Sequence, residues 1–257
     1  MFKQSINSRL AVVAGRGKAW CVVPGCERRT MQMSGKGLSG RYCKIHTQFK
    51  ARHGSMWHRS YSAGDLKPYL RAATSYISPR LFAVTGPLLA DTATRAHPHF
   101  AIKNAVDRLA FMIEGAPYEQ ATRLRGLPAS TRAGIAFGRF RNRGVKPEKL
   151  LAITLAVCAL ITDDPRADKT PEFRRVQIAK ACHRRASGFH RVWSERSQLH
   201  VFARSTGRVL RILGGRLEEL CAAAIDEHLE GILKLKVKRY GQHPNATIAS
   251  GATMHEE

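Results

Sequence analysis

The sequence predicts a mainly α protein, in which a small N-terminal Cys/His knuckle is followed by an all-helical basic domain. Three observations carry that reading. Apolar residues recur at helical spacing from about residue 65 to 240, without convincing strand alternation. Lys and Arg number 43 against 19 Asp and Glu, a net charge of +24. Three of the six cysteines crowd together with a histidine near the N-terminus, and the other three stand singly on apolar helical patterns.

The elements follow in order. Residues 1–19 read as a flexible basic arm, 20–54 as the knuckle, and 55–64 as a linker with aromatic content. Asp65 can cap a helix running to about Ile77, which Ser78-Pro79 ends. Phe100 to Glu114 places Ile102, Ala105 or Val106, Leu109 and Ile113 on one side, with Gly115-Ala116-Pro117 as a stop. Further helices fit Tyr118–Arg125, Thr131–Asn142, Pro147–Ile161 and Pro171–Ala186. The longest apolar run, Leu150 to Ile161, falls far short of the ~20 residues of a membrane span and reads as a buried helix. A last segment runs from Thr206 to about Arg239, with Leu210, Leu213, Leu217, Leu220 and Ala224 at helical spacing. Gly214-Gly215 reads as a kink or break in it, and 241–257 as a disordered tail.

The charge is segregated. Before Asp65 the only acid is Glu27, and the stretch from Gln120 to Pro147 has none. A folded domain with such an excess repels itself unless a polyanion offsets it, so nucleic acid is the first expected partner and an anionic membrane the second. The N-terminus never develops the apolar segment of a signal peptide. Cysteines so distributed suit a reducing compartment with one metal site, which points to the cytoplasm of a bacterial or phage-infected cell, in company with the nucleoid.

The knuckle has the spacing Cys21-x4-Cys26-x16-Cys43-x2-His46. Zinc takes soft or borderline ligands in a tetrahedron, and two close pairs separated by a loop supply them. The expected cofactor is therefore Zn, with Cys21, Cys26, Cys43 and His46 as ligands; His53 and His58 lie close enough to be alternatives for the fourth.

The run Cys-Val-Val-Pro-Gly-Cys-Glu-Arg, followed by Arg-Tyr-Cys-Lys-Ile-His-Thr-Gln-Phe-Lys-Ala-Arg-His-Gly, resembles the short zinc knuckles of phage and mobile-element DNA-binding proteins and of HNH-endonuclease-associated modules. The resemblance covers roughly residues 20–54. It implies the same four ligands, and a basic helix closed by Arg52-His53-Gly54. Two departures are the loop Met31-Gln32-Met33-Ser34-Gly35-Lys36-Gly37, which reads as an insertion, and Thr47 where an aromatic is usual.

No catalytic constellation stands out. His97-Pro98-His99 with Asn104 imitates an HNH set without its flanking strands. Asp163-Asp164, Asp168 and Glu172 form an acidic group that reads as helix-end caps and turn residues. Asp226-Glu227-His228 with Glu230 falls on a polar helix face. Tyr118–Arg125, a Gly-Leu-Pro-Ala turn and Ser130–Arg143 look like helix, turn, helix, capped by Ser130 or Thr131. Ala133, Phe137 and Phe140 would anchor the second helix, while Arg132, Ala136, Arg139 and Arg143 would line its outward face. Gln177, Lys180, Arg184 and His183 with Arg185 give a second basic face, and Arg41, Lys44 and Arg52 of the knuckle, with the N-terminal arm, add phosphate contacts. Trp57, Tyr61, Tyr69 and Tyr76 read as packing between module and body, with stacking on unpaired bases as the other use of such rings.

The expectation is thus a DNA-binding protein of a phage or other mobile element, stabilised by zinc. It would act on duplex DNA as an accessory factor in transcription control, replication or recombination. The alternatives are a nuclease or recombinase-like enzyme with unrecognised catalytic residues, and an RNA-binding protein.

Overall fold

A computed structural model describes residues 20–30, 40–85, 99–117, 126–185, 191–194, 197–200 and 207–246. The chain divides into two compact units, Met1–Arg59 and Ser60–Glu257.

Among the described residues of the first unit the regular helix is α1 (Lys44–His53), which begins on Cys43 and stops at Gly54, whose N–H returns to the Lys50 carbonyl. Upstream, Trp20 and Arg29 form an isolated antiparallel bridge.

The second unit is built on helices α2 (Ala63–Thr85), α3 (Phe100–Glu114), α4 (Ala129–Asn142), α5 (Pro147–Asp163), α6 (Pro171–Arg185), α7 (Gly207–Leu220) and α8 (Ala222–Tyr240). Helix α5 is the axle. All of Leu150 to Ile161 is buried, as an apolar run without a polar face requires, and α2, α3, α6 and α8 pack around it. Phe137 and Phe140 meet edge to face at 5.9 Å, completely buried on α4.

Several boundaries differ from the expectation. Helix α2 continues through both Pro68 and Pro79. Proline removes an N–H and crowds the carbonyl one turn earlier. On either side of Pro79 the Ser78 hydroxyl donates to the Thr74 carbonyl and Arg80 donates to the Tyr76 carbonyl. The start of α2 is a reciprocal box, with the Ser62 N–H on the Asp65 carboxylate and the Asp65 N–H on the Ser62 hydroxyl. Ser62 therefore caps the helix, and Asp65 lies inside its first turn. At α4 the capping position is Pro128, ahead of Ser130 and Thr131.

The last helical segment breaks at Cys221, and Gly214-Gly215 lies inside α7. A Cβ on Gly214 would fall 1.9 Å from the Arg175 carbonyl oxygen, so the glycine is there to let two helices touch. Strands β1 (Arg191–Ser194) and β2 (Ser197–His200) form a two-stranded antiparallel hairpin, too short for period-two alternation to reveal. The arm 1–19, the loop 31–37, Tyr118–Arg125, His97-Pro98 and the tail beyond 246 lie outside the described residues, and so does the first half of the expected helix-turn-helix.

Candidate metal centre and basic surfaces

The metal centre is assembled from two backbone features. Cys21 and Cys26 flank a tight turn, in which the Cys26 N–H bonds the Val23 carbonyl at 3.0 Å and Gly25 adopts φ +75°. The Cys21 N–H bonds the Arg28 carbonyl, and the Val22 N–H bonds the Arg41 carbonyl, which ties the turn to the segment bearing the second pair. Cys43 is the N-cap of α1, and His46 follows three residues later, so the first helical turn brings both side chains to the same end.

The geometry is that of a ligand shell. His46 Nδ1 lies 3.3 Å from Cys21 Sγ and 3.4 Å from Cys43 Sγ, and Cys26 Sγ lies 3.9 Å from Cys43 Sγ. All four ligand atoms fall within 4.8 Å of one another. A tetrahedron with metal–sulfur bonds of about 2.3 Å has sulfur–sulfur edges of about 3.8 Å, and a nitrogen corner shortens them to about 3.5 Å. The cluster can hold a metal ion. Burial pushes the Cys21 thiol up. It pushes Cys43 the same way, but backbone N–H groups of His46 and Ile45 outweigh it and hold that thiol below its ordinary value. Of the alternative histidines, His53 stacks on Phe49 at 4.4 Å, and His58 Nδ1 sits 2.6 Å from the Arg59 carbonyl oxygen.

Among the described residues this is the one group of three or more metal-ligating side chains that converge. No protein-family model, curated protein or solved structure matches this chain.

Cys158, Cys182 and Cys221 are free thiols buried in the body. Burial pushes Cys158 and Cys182 up to about 12, which keeps them protonated.

The acidic group at the end of α5 is structural. Asp163 accepts from Lys236 and Tyr69, and Asp164 accepts from Tyr61, Asn245 and the Arg166 N–H. Asp168 caps the turn into α6 through the Thr170 N–H, and Glu172 pairs with Arg211. The first residues of the expected tail, His243 to Asn245, thus close over Asp164. Tyr61 and Tyr69 serve as donors to carboxylates within the body.

The expected basic residues are spread over separate surfaces. On the knuckle, Arg41, Lys44 and Arg52 are exposed. On α4, Arg143 is exposed and Arg132 half-buried, but Arg139 is only 3% exposed. Ala136 is buried as well, so the supposed outward face of α4 turns inward at its middle; both neighbouring stripes are covered by packing. On α6, Lys180 donates to Ser60 Oγ at 2.7 Å and Arg184 to the Tyr61 carbonyl at 3.1 Å, while Gln177 is buried.

Two basic concavities went unforeseen. An open groove of about 670 Å³ between α6 and α7 is lined by Arg174, Arg175, Arg211 and Arg216, with Glu218 clamped between Arg174 and Arg175. A cleft of about 580 Å³ between α2 and the α4–α5 turn carries Arg143, Lys146 and Lys149, with Glu148 as its acid. Their only sequence signal was basic residues near helix ends, which by itself does not say that two ends meet.

Proposed function

We propose that this is a zinc-stabilised nucleic-acid-binding protein whose helical body engages duplex DNA. The observation that carries the reading is the excess of 43 Lys and Arg over 19 Asp and Glu. It is supported by how few of those cations find acids inside the fold: Lys67, Arg71, Lys146, Lys149, Arg208, Lys238 and Arg239 carry no ion pair among the described residues. The cleft holding Arg143, Lys146 and Lys149 is the favoured seat for a phosphate backbone, with Arg132, Lys180 and Arg184 as further contacts. Arg139 is left out because burial denies it a ligand.

The metal is zinc in this reading. Three thiolates and an imidazole nitrogen in a closed four-coordinate shell favour zinc over the harder cations, and leave no open position for a reacting molecule. The ion's job is to hold the knuckle together, since among the described residues the buried cluster there is formed by Cys21, Cys26 and Cys43 themselves, with Val23 and Tyr42 packed against them. The resemblance of the knuckle to phage and mobile-element modules suggests accessory work on DNA in a cytoplasm. No helix of the described residues is long and apolar enough to cross a membrane.

Anisotropy of a labelled duplex, titrated at several salt concentrations, tests the proposal. Each phosphate neutralised adds about −0.9 to the slope of log K against log salt, so six contacts weaken binding about a thousandfold between ~50 and ~200 mM. Absence of binding at the lowest salt, or binding indifferent to salt, overturns the reading. Tighter binding to a duplex RNA of the same length reassigns the partner.

A further inference from the structure

We infer that the knuckle unit carries its own surface for unpaired bases, with Trp20 and Trp57 as stacking platforms. The inference rests on the nucleic-acid reading above and adds a second class of ligand, single-stranded nucleic acid, bound by a different unit.

Trp20 is 46% exposed and Trp57 is 66% exposed. An isolated exposed aromatic is ordinary on any protein surface. These two differ in how they are held. Trp20 immediately precedes the ligand Cys21, and its backbone pairs with Arg29 in the antiparallel bridge. The Arg29 guanidinium sits 5.2 Å from the Trp20 ring centroid, a cation–π contact that steadies the indole and puts a positive charge beside it. Trp57 projects from a turn anchored from beneath. The Ser55 hydroxyl, 1% exposed, accepts the N–H groups of both Trp57 and His58, and Met56 is buried. The chain therefore buries Ser55 and Met56 and turns the larger, more apolar Trp57 outward. Packing alone would favour the reverse.

The surroundings choose the ligand. From residue 20 to 64 the only acid is Glu27. Arg28, Arg41, Lys44, Arg52 and Arg59 are all exposed on this unit without an ion pair among the described residues. Rigid aromatic faces for bases, set among cations for the intervening phosphates, are the two components of single-strand recognition. A duplex keeps its bases stacked on each other and cannot use the indoles. The cations would serve either ligand, so the tryptophans carry the distinction.

The test uses the full zinc-loaded chain, titrated with an oligothymidine strand of about 20 nucleotides and with a blunt duplex at equal phosphate concentration. The single strand is expected to quench tryptophan fluorescence well beyond the duplex. Trp20→Leu and Trp57→Leu should each weaken single-strand binding about tenfold and leave duplex affinity within about twofold, and Trp→Phe at either position should restore part of the loss. Zinc content of each variant reports that the knuckle is still folded. If the Leu variants bind the single strand as the parent does, the stacking surface is refuted, while salt-dependent duplex binding leaves the broader reading standing. If neither nucleic acid binds, both fail. A stronger fluorescence response to vesicles of anionic lipid than to the single strand assigns the tryptophans to a membrane surface and overturns the inference.

Discussion

Lys236, on the last helix, ends with its ammonium 2.5 Å from the carboxylate of Asp163, and 3% of its side chain meets solvent. The same ammonium lies 4.6 Å from the centroid of the Tyr69 ring, whose hydroxyl donates to that carboxylate. Three helices, α2, α5 and α8, are thereby joined at one buried charge pair. Removing one member leaves the other charge without its partner, which costs about 3 kcal/mol or more. Asp163→Asn should be the worse change, because Asp163 retains 18% exposure and can recover water while Lys236 cannot. The double variant Lys236→Met/Asp163→Asn should lose clearly less than the sum of the two single losses. Urea unfolding followed by far-UV circular dichroism measures all three. Simple additivity would mean that the pair is not coupled.

Acid should unfold the body in two stages. Burial pushes the His228 imidazole below its ordinary value, Glu227 opposes that, and His99 and Arg80 reinforce it. A histidine whose folded value is depressed contributes stability that is present above its unfolded value near 6.5 and lost as pH falls below it. The melting temperature should therefore drop between about pH 7 and 5, and His228→Leu should flatten that limb. A second fall begins below about pH 4. Burial alone would raise Asp163 and Asp164, but Lys236 and Tyr69 on the first, and Asn245, the Arg166 N–H and Tyr61 on the second, hold both below the ordinary carboxylate range. An unchanged first limb in His228→Leu would remove that residue from the account.

Cys43→Ala should release the metal and unfold residues 20–54, leaving the helical body intact. Mass spectrometry under native conditions should find one zinc in the parent chain and none in the variant, with the far-UV helical signal nearly unchanged. Cys158→Ala, a body cysteine, should keep its zinc. One equivalent of zinc retained by Cys43→Ala would disprove the ligand assignment.

Gly214→Ala tests the tightest approach at a glycine among the described residues. Alanine is the better helix former by about 1 kcal/mol, so an exposed site would gain stability. Here the added methyl meets the Arg175 carbonyl oxygen, and overpacking of that kind costs about 1–3 kcal/mol. A net loss in urea midpoint is expected. A gain would mean that α6 and α7 separate easily.

Helix content and core were legible because α3 and α5 follow one rule each. Ile102, Ala105, Leu109 and Ile113 repeat at helical spacing, and α5 is apolar all round. The convergence of Cys21, Cys26, Cys43 and His46 was legible because side chains of that chemistry fall there at short spacings. What stayed hidden depends on neighbours distant in sequence. Pro79 reads as a stop, yet α2 runs on through it to Thr85, packed against α5 and α8. Arg139 reads as a surface guanidinium until packing covers its helix. Lys236 did leave a trace, since Ala224, His228, Ile232 and Lys236 fall four apart on one buried stripe, but a lysine at the end of such a stripe looks like a solvated end.

The contact at Gly214 has a mechanical corollary. Two helices that meet backbone to backbone resist sliding past one another, so the stems of the arginines they carry start from a set separation: Arg174 and Arg175 on one side of the groove, Arg211 and Arg216 on the other. Glu218 reaches from α7 to Arg174 and Arg175 on α6, and Glu172 reaches from α6 to Arg211 on α7, so an anion entering the groove must compete with carboxylates already held there.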